Sequence, residues 1–430
     1  MPTARPAGEP GRFHLLAGDP PLALALDGSR LYAIDRDLHD ALMGGDATAA
    51  ARLEAMIGSV PPGADDFHDV GAPTALSLNV AQACNLACGY CYADKGQFGG
   101  RARMMPREVA LAAVDRLIDG ADGRRVTLGF IGGEPFLNRA LIHEAVEHAA
   151  ARAARAGIAI GFSVTTNGSM LTAADHELIR RHSFAVTVSL DGGPSLHDRH
   201  RRHHDGAGSF AGIAEAMAPL LAAPGKAKIA ARASVTRDDL RVRARLDGLT
   251  ALGFREAGVS PVRTGPDPSL VFQAQDWQPF LREMIAAAEA EWRRVAAGGE
   301  RRFSNLWSAV TQIHRGSARP LPCGSAVSYL SLGADGTYYS CHRTIDDRRF
   351  ALGTTREGPD RAGRLDFIRS RHVDRQEPCA SCWARYLCGG GCHAEVVSAG
   401  RMGCDYIRGW LEYCIRIYDR VLRRRPELLS

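Results

Sequence analysis

Apolar positions near the start of the chain fall in short alternating runs. "RFHLLAGDPPLALALDGSRLYAID" sets them around Gly-Asp-Pro and Asp-Gly turns, and "RDLHDALM" and "ATAAARLEAMIG" then switch to helical spacing. This pattern predicts a small α+β module over residues 1–70, closed by a Pro/Gly/Asp-rich linker, "VPPGADDFHDVGAP". From "TALSLNV" the period changes again. Runs rich in Val, Ile and Phe ("ALSLNV", "VTLGFIG", "IAIGFSVTTNG", "FAVTVSLDG", "KIAARASVT", "REAGVSPV") predict strands. The stretches "PREVALAAVDRLIDG", "RALIHEAVEHAAARAARAG", "TAADHELIRRH" and "FAGIAEAMAPLLAA" predict helices between them, with Pro106 suited to a first helical turn. Six such repeats over residues 71–270 predict an α/β fold, a partial (β/α)6 TIM-like barrel, with a doubly wound sheet as the alternative. In both, the functional loops lie at the C-terminal ends of the strands. A long amphipathic helix, "WQPFLREMIAAAEAEWRRVAAGG", belongs to a helical linker over 271–320. The cysteine-rich domain of residues 321–430 holds a hairpin in "SYLSLGADGTYYSC" and a terminal helix in "GCDYIRGWLEYCIRIYDRVLRR".

With 430 residues and 45% apolar content, the chain has material for a sizeable core, and a net charge of +5 gives no argument for nucleic acid. The one dense basic run, "DRHRRHH" from Asp198 to His204, reads as a solvated loop. The first residues lack the apolar core of a secretory signal, and no run approaches the roughly 18 apolar residues of a membrane span. The expectation is a cytoplasmic protein with no membrane or nucleic-acid partner. In a reducing compartment, eleven cysteines, three early and eight after residue 320, point to metal rather than disulfides.

Cys84, Cys88 and Cys91 have the spacing CxxxCxxC and follow the first barrel strand. Three thiolates can hold three irons of a cubane and leave the fourth open; a zinc site completed by a remote residue is the alternative. The second strand ends in "GGEP" (Gly132, Gly133, Glu134, Pro135), the third in "TTNG", the fourth in "SLDG". Each tetrapeptide alone is turn chemistry, but the ordered set resembles the radical S-adenosylmethionine family. There a CxxxCx(aromatic)C loop holds a [4Fe-4S] cluster whose open iron binds S-adenosyl-L-methionine. The resemblance implies cofactor contacts from Tyr90, Gly132, Gly133, Glu134, Pro135, Asn167, Ser189 and Asp191, with Glu134 available to the ligand ammonium. It also implies reductive cleavage of the cofactor to a 5′-deoxyadenosyl radical that abstracts a hydrogen atom from the substrate, fed by a reductase, flavodoxin or ferredoxin.

The tail reads Cys323, Cys341, then Cys379, Cys382, Cys388 and Cys392 as CxxCx5Cx3C, then Cys404 and Cys414. Eight thiolates suffice for two four-cysteine sites, zinc or iron–sulfur. The order is similar to the SPASM domain of peptide- and protein-modifying radical enzymes, which implies two auxiliary [4Fe-4S] clusters. By that pattern cluster I takes Cys323, Cys341 and Cys392. Cluster II takes Cys379, Cys382, Cys388 and one late cysteine, with Cys414 preferred to Cys404. No cysteine lies between Cys91 and Cys323, so cluster I keeps an open iron unless a late cysteine fills it.

The substrate class follows from the same resemblance: a peptide or small protein that receives a thioether or other intrapeptide crosslink. The tail "CGGGCHAEVVSAGRMGCDYIRGWLEYC" resembles the branch that matures quinohemoprotein amine dehydrogenase, and residues 12 to about 60 fit a peptide-recognition module that receives an extended leader at an edge strand. Two alternatives stand beside this. One is a formylglycine-generating anaerobic sulfatase maturase, against which counts His342 where those enzymes have an Asp proposed as base. The other is a non-catalytic zinc or iron–sulfur binding protein. Asp191 and His342 are the candidate catalytic residues.

Overall fold

The computed structural model describes residues 13–26, 29–56, 63–316 and 318–429. The first twelve residues, the Asp-Gly turn at 27–28 and the start of the Pro-rich linker lie outside the described residues. Strands β1 (Phe13–Leu16), β2 (Leu22–Ala25) and β3 (Arg30–Ala33) form an antiparallel sheet in that order, followed by α1 (Arg36–Met43) and α2 (Ala47–Met56). Asp35 starts α1 by accepting the Leu38 N–H at 2.6 Å, which satisfies one of the free donors at a helix start. Leu38, Ala49 and Leu53 close a small core of their own with Ala23 and Ile34.

The six expected strands are β4 (Ala75–Ala81), β5 (Val126–Gly132), β6 (Ile160–Thr166), β7 (Phe184–Ser189), β8 (Lys228–Val235) and β9 (Glu256–Pro261). Between them run α3 (Arg107–Asp119), α4 (Arg139–Ala156), α5 (Ala173–Arg181), the short α6 (Pro194–His197), α7 (Phe210–Ala222) and α8 (Val242–Ala251). All neighbours from β4 to β9 are parallel and in sequence order. A doubly wound sheet reverses strand order at a switch point; no reversal occurs here, so the partial barrel is the architecture. Leu76, Leu78 and Val80 of β4 are buried between the layers, as are Leu128 and Phe130 of β5. Pro106 precedes α3 in extended geometry instead of entering its first turn. Helix α8 was not expected from the pattern because Gly248 weakens it. A Cβ there would lie 2.5 Å from the Gly193 N, so close packing requires the glycine.

The chain continues through α9 (Trp277–Ala296), α10 (Ser304–His314), β10 (Tyr329–Leu332), β11 (Thr337–Tyr339), β12 (Ala351–Thr354), β13 (Gly358–Pro359), α11 (Arg361–Arg371), α12 (Arg385–Cys388), α13 (His393–Ala399) and α14 (Cys404–Arg424). The β10–β11 hairpin forms as expected. Its position is new: β10 pairs in parallel with β4, so one ten-stranded sheet runs from the barrel into the cysteine-rich tail. Ser77 Oγ meets Tyr329 Oη at 2.6 Å and Ser331 Oγ at 2.8 Å across that seam. Among the described residues no helix is long and apolar enough to cross a membrane.

Candidate functional site

Cys84, Cys88 and Cys91 lie, half-buried, on the loop leaving the C-terminal end of β4. The Leu86 N–H points at Cys84 Sγ, 3.4 Å away. Burial pushes the Cys84 thiol up to about 12, and the Glu134, Cys88 and Cys91 charges add to the shift. The basic run expected in solvent lies along this loop instead. The Ala87 N–H donates to Arg202 O at 2.8 Å, the Gly89 N–H to His200 O at 3.1 Å, and His204 Nε2 bonds Cys84 O at 3.0 Å. Arg202 and His204 face solvent, but Arg201 is only 8% exposed. Charge density along a sequence does not say which member of a run turns inward.

Arg201 reaches the aromatic of the cysteine motif. Its Nη1 donates to Tyr90 Oη at 2.9 Å, while the Tyr90 hydroxyl donates to Asp191 Oδ2 in a short hydrogen bond. Asp191 Oδ1 accepts the Ser234 N–H at 2.8 Å. Both carboxylate oxygens of this 1% exposed residue are therefore engaged, and Asp191 ties the cysteine loop to β7 and β8 across the barrel. His197 completes the support. Its Nδ1 accepts the Asp191 N–H at 3.3 Å, which puts the proton on Nε2, 2.9 Å from Ser209 Oγ; that hydroxyl donates to Arg201 O at 2.7 Å. Burial depresses the His197 pKa to about 3.

That shift fixes the sign of a pH effect. The folded-state value lies below the unfolded value of about 6.5, so the contribution of His197 is complete above pH 6.5 and is lost as pH falls toward 3. Between pH 6.5 and 5.5 the unfolding free energy should drop by about 1 kcal/mol more in the wild type than in His197→Gln, read from denaturant midpoints. Equal pH slopes would show that His197 is not held neutral.

The GGEP turn packs directly beneath the cysteine loop. The Gly133 and Glu134 N–H groups donate to Ala81 O and Ala83 O at 2.9 and 2.8 Å, so they are committed to β4 and its continuation rather than freed for a ligand. The Glu134 carboxylate is also bonded within the protein: Oε1 accepts from Thr166 Oγ1 at 2.7 Å and the Phe136 N–H at 3.1 Å, and Oε2 from the Asn167 N–H at 2.7 Å, which leaves one acceptor site of the carboxylate open. Burial pushes this carboxyl up against the pull of those bonds. Pro135 begins a buried 3-10 turn. Asn167 Nδ2 reaches Asn85 Oδ1 at 2.9 Å and points toward Cys84 Sγ at 3.8 Å. Ser189, half-buried, ends β7. The strand-end motifs thus converge on one loop, and most of their polar atoms hold that loop in place.

In the tail, Cys323, Cys341 and Cys392 stand near one another. Burial raises the Cys323 and Cys392 thiols and repulsion from Cys341 adds to it. A second group surrounds a cavity of about 340 Å³ whose wall includes Cys379, Cys382, Cys388 and Cys404. Burial pushes Cys379 up to about 11, and Gly390 and Gly391 direct N–H groups at Cys388. Cys404 opens α14, whereas Cys414 lies ten residues further, about 15 Å along the helix axis, and is fully buried in the main core. The structure brings Cys404, not the preferred Cys414, to the thiol-lined wall.

His342 sits at the β4–β10 seam. Its Nδ1 is 3.1 Å from Tyr329 Oη, and burial lowers its pKa to about 4. Three residues that the sequence did not single out join the cysteine loops. The Arg343 guanidinium stacks 4.2 Å over the Tyr92 ring, next after Cys91, while the Arg343 backbone N–H donates to Cys341 Sγ at 3.4 Å. Arg343 also pairs with Glu395 at 3.3 Å, three residues after Cys392.

These sites fit iron–sulfur clusters. Burial and repulsion from neighbouring thiols disfavour the anionic forms of Cys84, Cys88, Cys323, Cys379, Cys388 and Cys392, so a cationic group is what would deprotonate them. Backbone N–H groups already point at Cys84, Cys341 and Cys388. Among the described residues, no three His, Cys, Asp or Glu side chains are gathered as a single metal ion requires.

Residues 78–223 match the family model of the radical SAM superfamily. The serine-type anaerobic sulfatase-maturating enzyme of Klebsiella aerogenes is 25% identical over 76% of this chain and 80% of its own. The mycofactocin maturase MftC of Mycobacterium ulcerans is 27% identical over 80% and 90%. Among solved structures, native anSMEcpe with bound AdoMet superposes with a TM-score of 0.70 at 19% identity, over 82% of this chain and 99% of that one. Streptococcus suis SuiB bound to S-adenosylmethionine gives 0.55 at 12% identity, over 92% and 98%. These two share the fold.

Proposed function

Because this chain carries a radical SAM domain and is an enzyme of that kind, we propose that it modifies a peptide or small protein, forming a thioether or another intrapeptide crosslink. One observation carries the proposal: a cysteine loop clamped at the C-terminal mouth of a partial barrel, in one molecule with two further thiol groups. When bound, the reduced cluster and S-adenosylmethionine supply a 5′-deoxyadenosyl radical that takes a hydrogen atom from the substrate. Cys84, Cys88 and Cys91 would hold that cluster. Tyr90, Asp191 and Arg201 fix the loop, and Glu134 and Asn167 anchor the neighbouring strand ends. Cys323, Cys341 and Cys392 would hold one auxiliary cluster with three protein thiols, which leaves room for a substrate thiolate. Strand β3 lies at an edge of its sheet, a suitable receiver for an extended leader peptide.

Formylglycine formation is the second reading, favoured by the likeness to the Klebsiella enzyme over 76% of the chain. Incubation of the anaerobic holoenzyme with S-adenosylmethionine, dithionite and a candidate peptide separates the two. A crosslink removes about two hydrogens and a free thiol, whereas formylglycine leaves an aldehyde that captures a hydrazide. Purified protein should carry about twelve irons per chain. Predominantly zinc with little iron would overturn the enzyme reading.

A further inference from the structure

Four arginines gather on the surface away from the cysteine loop of β4. Arg301, Arg302, Arg315 and Arg319 line a groove of about 630 Å³, where Glu256 is the one acidic residue in the lining. Among the described residues, none of the four is paired with a carboxylate. Arg301 donates to Leu428 O at 2.9 Å and lies over the Trp307 ring at 5.6 Å. Arg319 donates to Gln312 Oε1 at 2.9 Å and to Pro322 O, Arg302 Nε has no partner, and Arg315 is exposed. Elsewhere arginines commonly face acids, as Arg294 faces Glu291 and Arg420 faces Glu289. A groove with four guanidiniums and one carboxylate attracts an anionic partner over several ångströms.

Position in the fold says which partner. Glu256 is the first residue of β9, so the groove lies at the N-terminal end of a barrel strand, opposite the C-terminal ends that carry Cys84 to Cys91 and Glu134. A peptide seated there would not present its residues to that loop. The groove does share a wall with the thiol-lined cavity: Ser308, Gln312 and Arg319 line both. From that cavity, whose wall also includes Cys392, contacts run through Glu395 and Arg343 to Tyr92, beside Cys91.

We propose that the groove of Arg301, Arg302, Arg315 and Arg319 is the docking surface for an acidic one-electron carrier protein, seated beside the group that Cys379, Cys382, Cys388 and Cys404 hold. One electron would pass from the reduced carrier to the group that those four cysteines would hold; no bond is made or broken and no proton moves. The inference rests on the radical SAM reading. It requires the acidic surface of the carrier to neutralise the guanidiniums, so affinity depends on their charge and on salt.

The test titrates fluorescently labelled flavodoxin, a small acidic carrier, into the anaerobic holoenzyme. Among the described residues Arg315 has no side-chain partner, so Arg315→Glu should leave the fold intact and raise Kd several-fold. Arg301→Glu/Arg315→Glu should raise it at least tenfold. Raising ionic strength from about 0.05 M to about 0.5 M should weaken the wild type by a comparable factor and the double variant far less. Dithionite, which needs no docking, should drive S-adenosylmethionine cleavage equally in all three proteins, while flavodoxin-driven cleavage falls in step with binding. If dithionite fails in the wild type, the radical SAM reading falls. If dithionite works and both variants bind flavodoxin as the wild type does, the docking surface is wrong. An acidic peptide such as oligoglutamate that binds with the same charge dependence without displacing flavodoxin would also overturn it, assigning the groove to a peptide.

Discussion

Replacing Gly133 with alanine should empty the first cluster site. An added Cβ would stand 2.2 Å from Ala83 O and 2.7 Å from Gly96 Cα, contacts that real side chains do not tolerate. Both neighbours are backbone, so no side chain can swing away, and one of the two segments must move. Ala83 immediately precedes Cys84, and Gly96 closes the turn that follows Cys91. The displacement therefore falls on the loop that carries all three thiols. Overpacking of this kind costs about 1–3 kcal/mol, and a shift near 1 Å at a reacting site costs on the order of a hundredfold in rate. Gly133→Ala should lose about four irons per chain and at least 99% of dithionite-driven S-adenosylmethionine cleavage. Gly212→Ala is the matched control: it lies exposed on α7 with nothing within 4 Å of the new Cβ, and should keep its iron and activity. Full iron and activity in Gly133→Ala would show that the close approach is not needed.

The same contrast explains what could be read from the chain alone. The six parallel strands and the strand-end motifs were legible because each depends on local pattern: apolar runs bounded by turns, with glycines where backbones touch. Glu134 and Asp191 were found by motif, but their partners were not. The bonds of Glu134 to Thr166 and of Asp191 to Tyr90 link residues far apart in sequence, and no local signal reports them. Arg201 was hidden inside a basic run in which only Arg199, Arg202 and His204 are exposed. The parallel pairing of β10 with β4 joins positions about 250 residues apart, a choice made by tertiary packing. The arginine groove escaped for a related reason: Arg301 and Arg302 precede α10, Arg315 and Arg319 follow it, and only the fold brings them to one surface.

The late cysteines are where a local signal existed and outweighs gap counting. The terminal helix was evident from its periodicity, and ten residues of helix separate Cys404 from Cys414 by about 15 Å, with side chains pointing in different directions. Only one of them can serve a given cluster. Cys404 lines the cavity with Cys379, Cys382 and Cys388, while burial in the apolar core alone pushes the Cys414 thiol well up, with no ionised partner to offset it. Cys404→Ala should therefore lower iron from about twelve to about eight per chain and leave cleavage of S-adenosylmethionine by dithionite largely intact, because Cys84, Cys88 and Cys91 are untouched. Crosslinking of the substrate should fall at least tenfold. Cys414→Ala should keep all twelve irons and lose about 1 kcal/mol of stability through the small cavity it leaves. The opposite result, iron lost from Cys414→Ala and kept in Cys404→Ala, would require α14 to turn Cys414 out of the core and into the thiol-lined cavity.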